Sequence, residues 1–257
     1  METTHTPPAA DRVQRAREAL AANEHWYHTI DLAPGVASPG HVDWREAAAR
    51  ILPDDLSGRR ALDVGTFDGF WAFEMEQRGA EVVAIDVEAI DGAEWPPLHR
   101  ESLERTAAEW DIELGRGFRL AHELRGSSVR RVVCNVYDLT PEAIGGPVDF
   151  AFLGALLLHL RDPVRALEHI RGALGPSGDF LAVECVSMRA QLVGLGMPIA
   201  RFEPTYSQFN WWRPNVRGLI SFVEAAGFHD VKRKGRLMRP PGKREMRTWY
   251  CALTAKP

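Results

Sequence analysis

Residues 61–69 read ALDVGTFDG, and the next apolar run, VVAI at 82–85, ends on Asp86. A short apolar run that breaks into a glycine-bearing turn and resumes as a helix opens a βα unit. Outward from it, further apolar runs at 129–134, 148–153 and 180–185 alternate with helical stretches at 69–78, 103–113, 118–124, 163–174 and 215–226. That alternation predicts stacked βα units around a parallel sheet with helices on both faces. Gly227 marks the end of the last helix. Runs at 231–238 and 246–253, joined through Pro240-Pro241-Gly242, predict a closing antiparallel hairpin. The expected sheet has seven strands. Upstream, an amphipathic helix at 11–23 and a short helix at 43–51 predict a helical cap or lid over residues 1–52, leaving 53–257 as the main domain.

The 257 residues are 45% hydrophobic and 26% charged, an average globular composition. No apolar run reaches the roughly 18 residues of a membrane span. The polar, helix-like start METTHTPPAADRVQRAREAL does not read as a signal peptide. Cys134, Cys185 and Cys251 lie too far apart for a CxxC knuckle, and the nine histidines show no HxxxH spacing. The expectation is a cytoplasmic protein without a metal site or a membrane partner.

In open α/β sheets, ligands bind at the carboxyl ends of the strands. A dinucleotide site wants G-x-G-x-x-G, but here the second and third glycine positions hold Phe67 and Phe70, which obstruct a pyrophosphate. An S-adenosylmethionine site has no phosphate to cradle. It needs an acid at the strand end to meet an ammonium, here Asp63, and a second acid for the ribose hydroxyls, here Asp86, 21 residues after Gly65. Gly65 lets the backbone approach the ligand, and Gly69 lets the helix start tight against the turn. S-adenosylmethionine is therefore the expected cofactor.

The stretch LDVGTFDGFWAFEMEQRGA at 62–80, followed by VVAID, resembles the first motif and acidic strand end of class I S-adenosylmethionine-dependent methyltransferases. WYHTIDL at 26–32, CNVYDL at 134–139, FLGALLLHLRDP at 152–163 and WWRPNVRGLISFVEAAGF at 211–228 resemble one subgroup, the tRNA wobble-uridine carboxymethyltransferase-like methyltransferases. The resemblance implies a Rossmann-like fold with a seven-stranded, mostly parallel sheet. It also implies that Asp63, Gly65 and Gly69 surround the methionine part, with Phe67 and Asp68 at its edge. Asp86 would hold the ribose, Asn135 the adenine amino group with Val136 and Tyr137 beside the ring, and Gly154 would lie near the sulfonium. The tRNA-modifying members use a carboxylated donor, held by N-terminal lysines and a tyrosine after the fourth strand. Here no lysine precedes Lys232, and Leu158 stands at the tyrosine position. An unpaired buried carboxylate costs several kcal/mol, so the ordinary donor is expected.

An acceptor that must lose a proton needs a base near the pocket mouth. Candidates are His159, just past the fourth strand, with His28 and Tyr27 on the lid segment; His28 and His159 are expected to flank the acceptor. Tyr206, Phe209 and Trp211, in the irregular stretch after the fifth strand, are the candidate acceptor-binding aromatics. The formal charge of −4 hides a basic window: 232–247 carries +7 and the remaining residues −11. Clustered cations suit RNA phosphates, but a solvated edge strand with Lys232, Lys234 and Arg236 on one exposed face is the preferred account. A small-molecule acceptor, of specialised-metabolite type, is expected rather than nucleic acid; an RNA methyltransferase and a non-catalytic S-adenosylmethionine-binding protein are the alternatives.

Overall fold

The computed structural model describes residues 9–244 and 248–257. Residues 1–8 of the expected cap, and Met246 at the start of the expected last strand with Glu245 and Arg247 of the basic window, lie outside the described residues. The chain begins with α1 (Ala9–Ala22), a small β1 (Asp31–Ala33) and β2 (Val36–Ala37) pair, and α2 (Arg45–Ile51). The body follows as β3 (Arg60–Val64), α3 (Phe70–Glu76), β4 (Glu81–Asp86), α4 (Pro97–Glu109), α5 (Arg116–Arg125), β5 (Arg130–Val133) and α6 (Pro141–Ile144). It continues through β6 (Val148–Gly154), α7 (Pro163–Ala173), β7 (Leu174–Val186), α8 (Met188–Val193), β8 (Ala200–Phe202) and β9 (Trp212–Pro214). It closes with α9 (Val216–Ala225), β10 (His229–Arg233) and β11 (Trp249–Lys256).

Seven strands form one sheet in the order β10-β11-β7-β6-β3-β4-β5. The pairs among β3 to β7 are parallel, and β11 is antiparallel to both β7 and β10. Strand order reverses at β3, so the carboxyl ends of β3, β4 and β6 define the ligand edge. Both faces of β3 are covered, which is why its sequence after Arg60 is apolar apart from Asp63. One face packs Trp26, Trp44, Trp71, Phe73 and Phe152 against the N-terminal segment; the other packs Leu62, Ile85, Leu153 and Phe180 under α7 and α9. Local chemistry starts the helices where the sequence places them. Asp162 and Asn215 accept from Arg165 and Gly218 N–H groups at 3.0 and 2.7 Å, capping α7 and α9.

Three sequence expectations shift. The helix expected at 103–113 begins at Pro97, because a proline preset in φ sits well in a first helical turn. The stretch after β7 expected to be irregular instead forms α8 and the β8–β9 hairpin. The closing pair is not joined by a tight turn. β10 stops at Arg233, Met238 still bridges to Tyr250, and residues 241–243 reach the N-terminal segment. There Asp43 N–H donates to Pro241 O and Lys243 N–H to His41 O, both at 2.8 Å, beside a Val42–Gly242 bridge. The prolines of 240–242 thus dock on the cap. β10 is the edge strand, with most of its residues exposed on both faces, so Lys232, Lys234 and Arg236 do not form one solvent face.

The cap seats by backbone contact. A Cβ at Gly40 would lie 2.2 Å from both His28 C and Thr29 N. Gly40→Ala is expected to unseat residues 26–31 and destabilise the fold by about 2–4 kcal/mol. The check is a thermal melt; an unchanged Tm would refute the close-packing argument.

Candidate cofactor and acceptor site

The turn after β3 is held by its neighbour strand. Gly65 and Thr66 N–H groups both donate to Ile85 O, at 3.0 and 3.1 Å. Gly65, Phe67 and Gly69 all adopt positive φ, of 73°, 50° and 91°. A Cβ on Gly69 would lie 2.5 Å from the Phe73 ring and 2.8 Å from Phe118, so only glycine fits there. Phe67 is in the left-handed region at a cost of about 1–2 kcal/mol. Its N–H is fixed by Asp86, whose two carboxylate oxygens accept from Phe67 and Val87 N–H at 2.7 and 2.8 Å. Burial pushes the Asp86 carboxyl above its usual range, and those two donors oppose the shift.

Asp63 is 2% exposed, and its Oδ2 has no hydrogen-bond partner. Burial pushes its carboxyl up to about 7, with Thr66, the His28 charge and the Ala72 N–H pulling the other way. A buried carboxylate oxygen left unsatisfied at a ligand-binding strand end is a site waiting for a donor. The Gly65 turn beside it and the paired acid Asp86 are the other halves of the same cradle. These residues fit S-adenosylmethionine.

Asp68 is engaged by the N-terminal segment. Its Oδ2 accepts from Tyr27 and His28 N–H at 3.1 and 2.7 Å, and its Oδ1 meets His28 Nδ1. Both partners are buried, and the His28 ring stacks on Phe70 with centroids 5.3 Å apart. So Asp68, expected at the cofactor edge, instead clasps the cap. A carboxylate 2% exposed must find donors, and the cap backbone supplies them. His28 is correspondingly committed through Nδ1 to Asp68, not free to flank an acceptor with both nitrogens.

On the β5 side, Asn135 caps the turn of Val136–Asp138: its Oδ1 accepts from Tyr137 N–H at 3.1 Å and its Nδ2 donates to Gly92 O at 3.4 Å. Val136 is buried among the α6–α7 side residues. The Tyr137 hydroxyl donates to Glu94 Oε2 at 2.7 Å and accepts from Asp162 N–H at 3.0 Å. Glu94 had no signal in the sequence, yet it knots three segments. Its Oε2 also accepts from Arg161 N–H at 2.7 Å, and its carbonyl accepts from Trp211 Nε1 at 2.5 Å.

At the end of β6, a Cβ on Gly154 would lie 2.8 Å from the Phe152 ring and 3.2 Å from Trp71 Nε1. Glu184 on β7 is 1% exposed, and its Oε1 accepts from Leu156 and Leu157 N–H at 2.8 and 3.0 Å. Burial pushes its carboxyl up to about 7. Glu184 thereby fixes the turn that lays Leu156 against Gly65. His159 Nδ1 lies 2.9 Å from Phe209 O. A carbonyl only accepts, so Nδ1 carries the proton, and burial lowers the ring pKa. Nε2 of a neutral His159 is therefore an acceptor. Tyr27 edges onto Phe67 at 5.6 Å, and burial raises its phenol above the ordinary tyrosine value. At neutral pH it is a donor, not a phenolate base.

The three candidate acceptor aromatics do not share one wall. Tyr206 is exposed and tied to Phe202 O and Arg201; Phe209 edges onto Trp95 at 5.9 Å. Trp211 is a buried pillar whose N–H donates to Leu158 O at 2.7 Å. Among the described residues no group of three His, Cys, Asp or Glu side chains is arranged for a metal ion, and no helix is long and apolar enough to cross a membrane.

The strand order, the antiparallel β11 and the acids ending β3 and β4 define the class I S-adenosylmethionine-dependent methyltransferase fold. The family profile of the methyltransferase domain matches residues 39–232, and the chain belongs to that family, whose cofactor in this class is S-adenosylmethionine. It is similar to the tRNA U34 carboxymethyltransferase of Azotobacter vinelandii, 28% identical over 194 residues, covering 74% of this chain and 51% of the relative. The enzyme of the same description from Stutzerimonas stutzeri is 27% identical, covering 85% of this chain and 61% of the relative. The chain thus spans about half the length of the curated relatives it matches. Among solved structures, the N-terminal domain of EvdMO1 with SAH bound superposes with a TM-score of 0.62 at 14% identity, covering 99% of both chains. An S-adenosylmethionine-dependent methyltransferase from Mesorhizobium loti gives 0.51 at 13%, covering 83% of this chain and 97% of the other. Those two likenesses are of fold.

Proposed function

We propose that this chain transfers a methyl group from S-adenosylmethionine to a small-molecule acceptor of specialised-metabolite type. The observation that carries the reading is the buried Asp63 carboxylate, its Oδ2 without a partner, beside the Gly65 turn, with Asp86 ending the neighbouring strand. When bound, the cofactor supplies a methyl carbon already activated by its sulfonium. The protein's part is to bind, align and exclude water. Asp63 would hold the methionine ammonium and Asp86 the ribose hydroxyls, while Asn135, Val136 and Tyr137 would line the adenine. The Phe67–Asp68–Gly69 turn would close the cradle against the cap, and Gly154 would keep the reacting edge open. His28 and His159 are each committed through Nδ1, which leaves Nε2 as the nitrogen that would accept a proton in either. The chain is read as a cap of residues 1–52 over the methyltransferase domain.

The pH dependence follows from Asp63. Its folded value of about 7 exceeds the ordinary 3.8. The carboxylic acid is therefore favoured in the fold, and stability falls as pH rises from about 4 to about 7. A cationic ammonium reverses that preference. S-adenosylhomocysteine affinity is expected to rise roughly tenfold per pH unit below 7 and to level off above it. Titration calorimetry between pH 5.5 and 8.5 checks this, and Asp63→Asn should flatten the profile. A flat profile in the unaltered protein would exclude Asp63 from the ammonium site.

Leu158, 7% exposed in the apolar cluster on the cap side, supports the ordinary donor over a carboxylated one. Competition between S-adenosylmethionine and its carboxylated counterpart tests it; tighter binding of the carboxylated donor would overturn the reading. A second reading, methylation of tRNA, is favoured by the names of the relatives and by the basic 232–244 segment. A tRNA gel shift that weakens steeply with salt would support it.

A further inference from the structure

Hydrogen bonds from Ser187 N–H to Pro214 O, at 2.8 Å, and from Trp211 N–H to Leu158 O lay β9 across the carboxyl ends of β7 and β6. In the middle of β9 stands Arg213, facing Arg201 across the hairpin. Its Nε donates to Glu203 Oε2 at 3.1 Å and its Nη1 to Thr248 Oγ1 at 3.3 Å, while Nη2 has no hydrogen-bond partner among the described residues. Glu203 is 4% exposed and shared with Arg201 at 3.5 Å, so one buried carboxylate serves two guanidinium groups. The Arg213 charge acts on the Cys185 thiol at the end of β7 and on the His159 ring after β6. Arg213 thus stands on the strand that crosses the carboxyl ends of β6 and β7, in a cluster of two guanidinium groups and one carboxylate.

The rim adds to it. Arg236, Arg239, Lys243 and Arg244 have no ion-pair partner among the described residues, and their segment is stitched to the cap at residues 41–43. They follow the seam between cap and sheet, on a chain whose remainder is acidic. A solvated edge strand accounts for Lys232 and Arg233. It does not account for Arg213, which is held inward and three-quarters buried.

We propose that the acceptor is an organic anion whose carboxylate or phosphate docks on the Arg213 guanidinium at the floor of the acceptor site. The inference rests on the small-molecule methyltransferase reading and names the acceptor class. A guanidinium matches the oxygen pair of either anion, and the cationic rim concentrates such molecules at the mouth. An anionic acceptor would give the two guanidinium groups that share Glu203 their second counter-charge.

The test uses the full chain. S-adenosylhomocysteine binding is measured first by calorimetry, which reads the cofactor site independently. Phenyl phosphate and 4-hydroxybenzoate, with the neutral partners phenol and 4-hydroxybenzamide, are then titrated into cofactor-loaded and cofactor-free protein. The expected result is at least tenfold tighter binding of the anions, weakening with salt. Arg213→Gln should abolish the preference and Arg213→Lys retain part of it. The rim variant Arg239→Gln/Lys243→Gln, which leaves Glu203 paired should Arg213→Gln fail to fold, should weaken anion binding two- to threefold. Equal binding of the neutral partners, no binding of either set, or a preference that survives Arg213→Gln would overturn the proposal. So would a rim-dependent tRNA shift without anion binding, or Arg213-dependent capture of the carboxylated donor. Failure of S-adenosylhomocysteine to bind while the anion preference persists would sink the cofactor reading alone.

Discussion

Asp86→Ala is expected to weaken S-adenosylhomocysteine binding by about 10²–10³-fold, from the loss of two or more charge-assisted hydrogen bonds. Two losses combine. The ribose hydroxyls would lose the acceptor proposed for them, and the Phe67 and Val87 N–H groups lose the carboxylate that holds them. Without that hold, Phe67 has nothing to fix its left-handed backbone, and the turn that shapes the cradle relaxes toward ordinary φ values. Asp86→Asn should fall between, because its amide offers one acceptor oxygen where two are used. Calorimetric titration of all three proteins is the measurement. An affinity within threefold of the unaltered chain in Asp86→Ala would remove Asp86 from the cofactor site.

Asp68→Ala should act on stability first. It strips the acceptor from two cap N–H groups and from the His28 ring, in a place where His28 is 6% and Asp68 2% exposed. Breaking one side of such a buried pair costs about 3–5 kcal/mol, which lowers Tm by roughly 6–20 °C in a chain of this size. Asp68→Asn, which keeps one acceptor oxygen, should lose less. The readout separates two roles for one residue. A cap clasp predicts a large Tm loss with near-normal S-adenosylhomocysteine affinity at low temperature, whereas a cofactor contact predicts the reverse. Retention of the full Tm in Asp68→Ala would refute the clasp.

The contrast between Asp86 and Asp68 shows what a single sequence discloses. Asp63, Gly65, Gly69 and Asp86 are legible because strand, turn and helix are set locally, and an acid ending an otherwise apolar run is conspicuous. Their elements lie where the periodicity puts them. Asp68 belongs to the same motif, yet its partners sit 40 and 41 residues away on a loop with no periodicity. Glu94 is harder still: it joins groups 43, 67 and 117 residues distant, and no local pattern marks an acid as a knot. The β8–β9 hairpin was obscured by its brevity, since three-residue strands show no alternation to read. Likewise the 240–242 prolines signal a change of direction correctly, but only the fold says that they turn toward the cap.

The stitching of residues 241–243 to residues 41–43 has a consequence for biogenesis. A chain that leaves the ribosome N-terminus first makes its cap segment early and its seat nearly 200 residues later. Until β11 joins the sheet beside β7, Trp44 of the cap lacks the Tyr250 ring it packs against. Closure of the cap therefore awaits a segment made long after the cap itself.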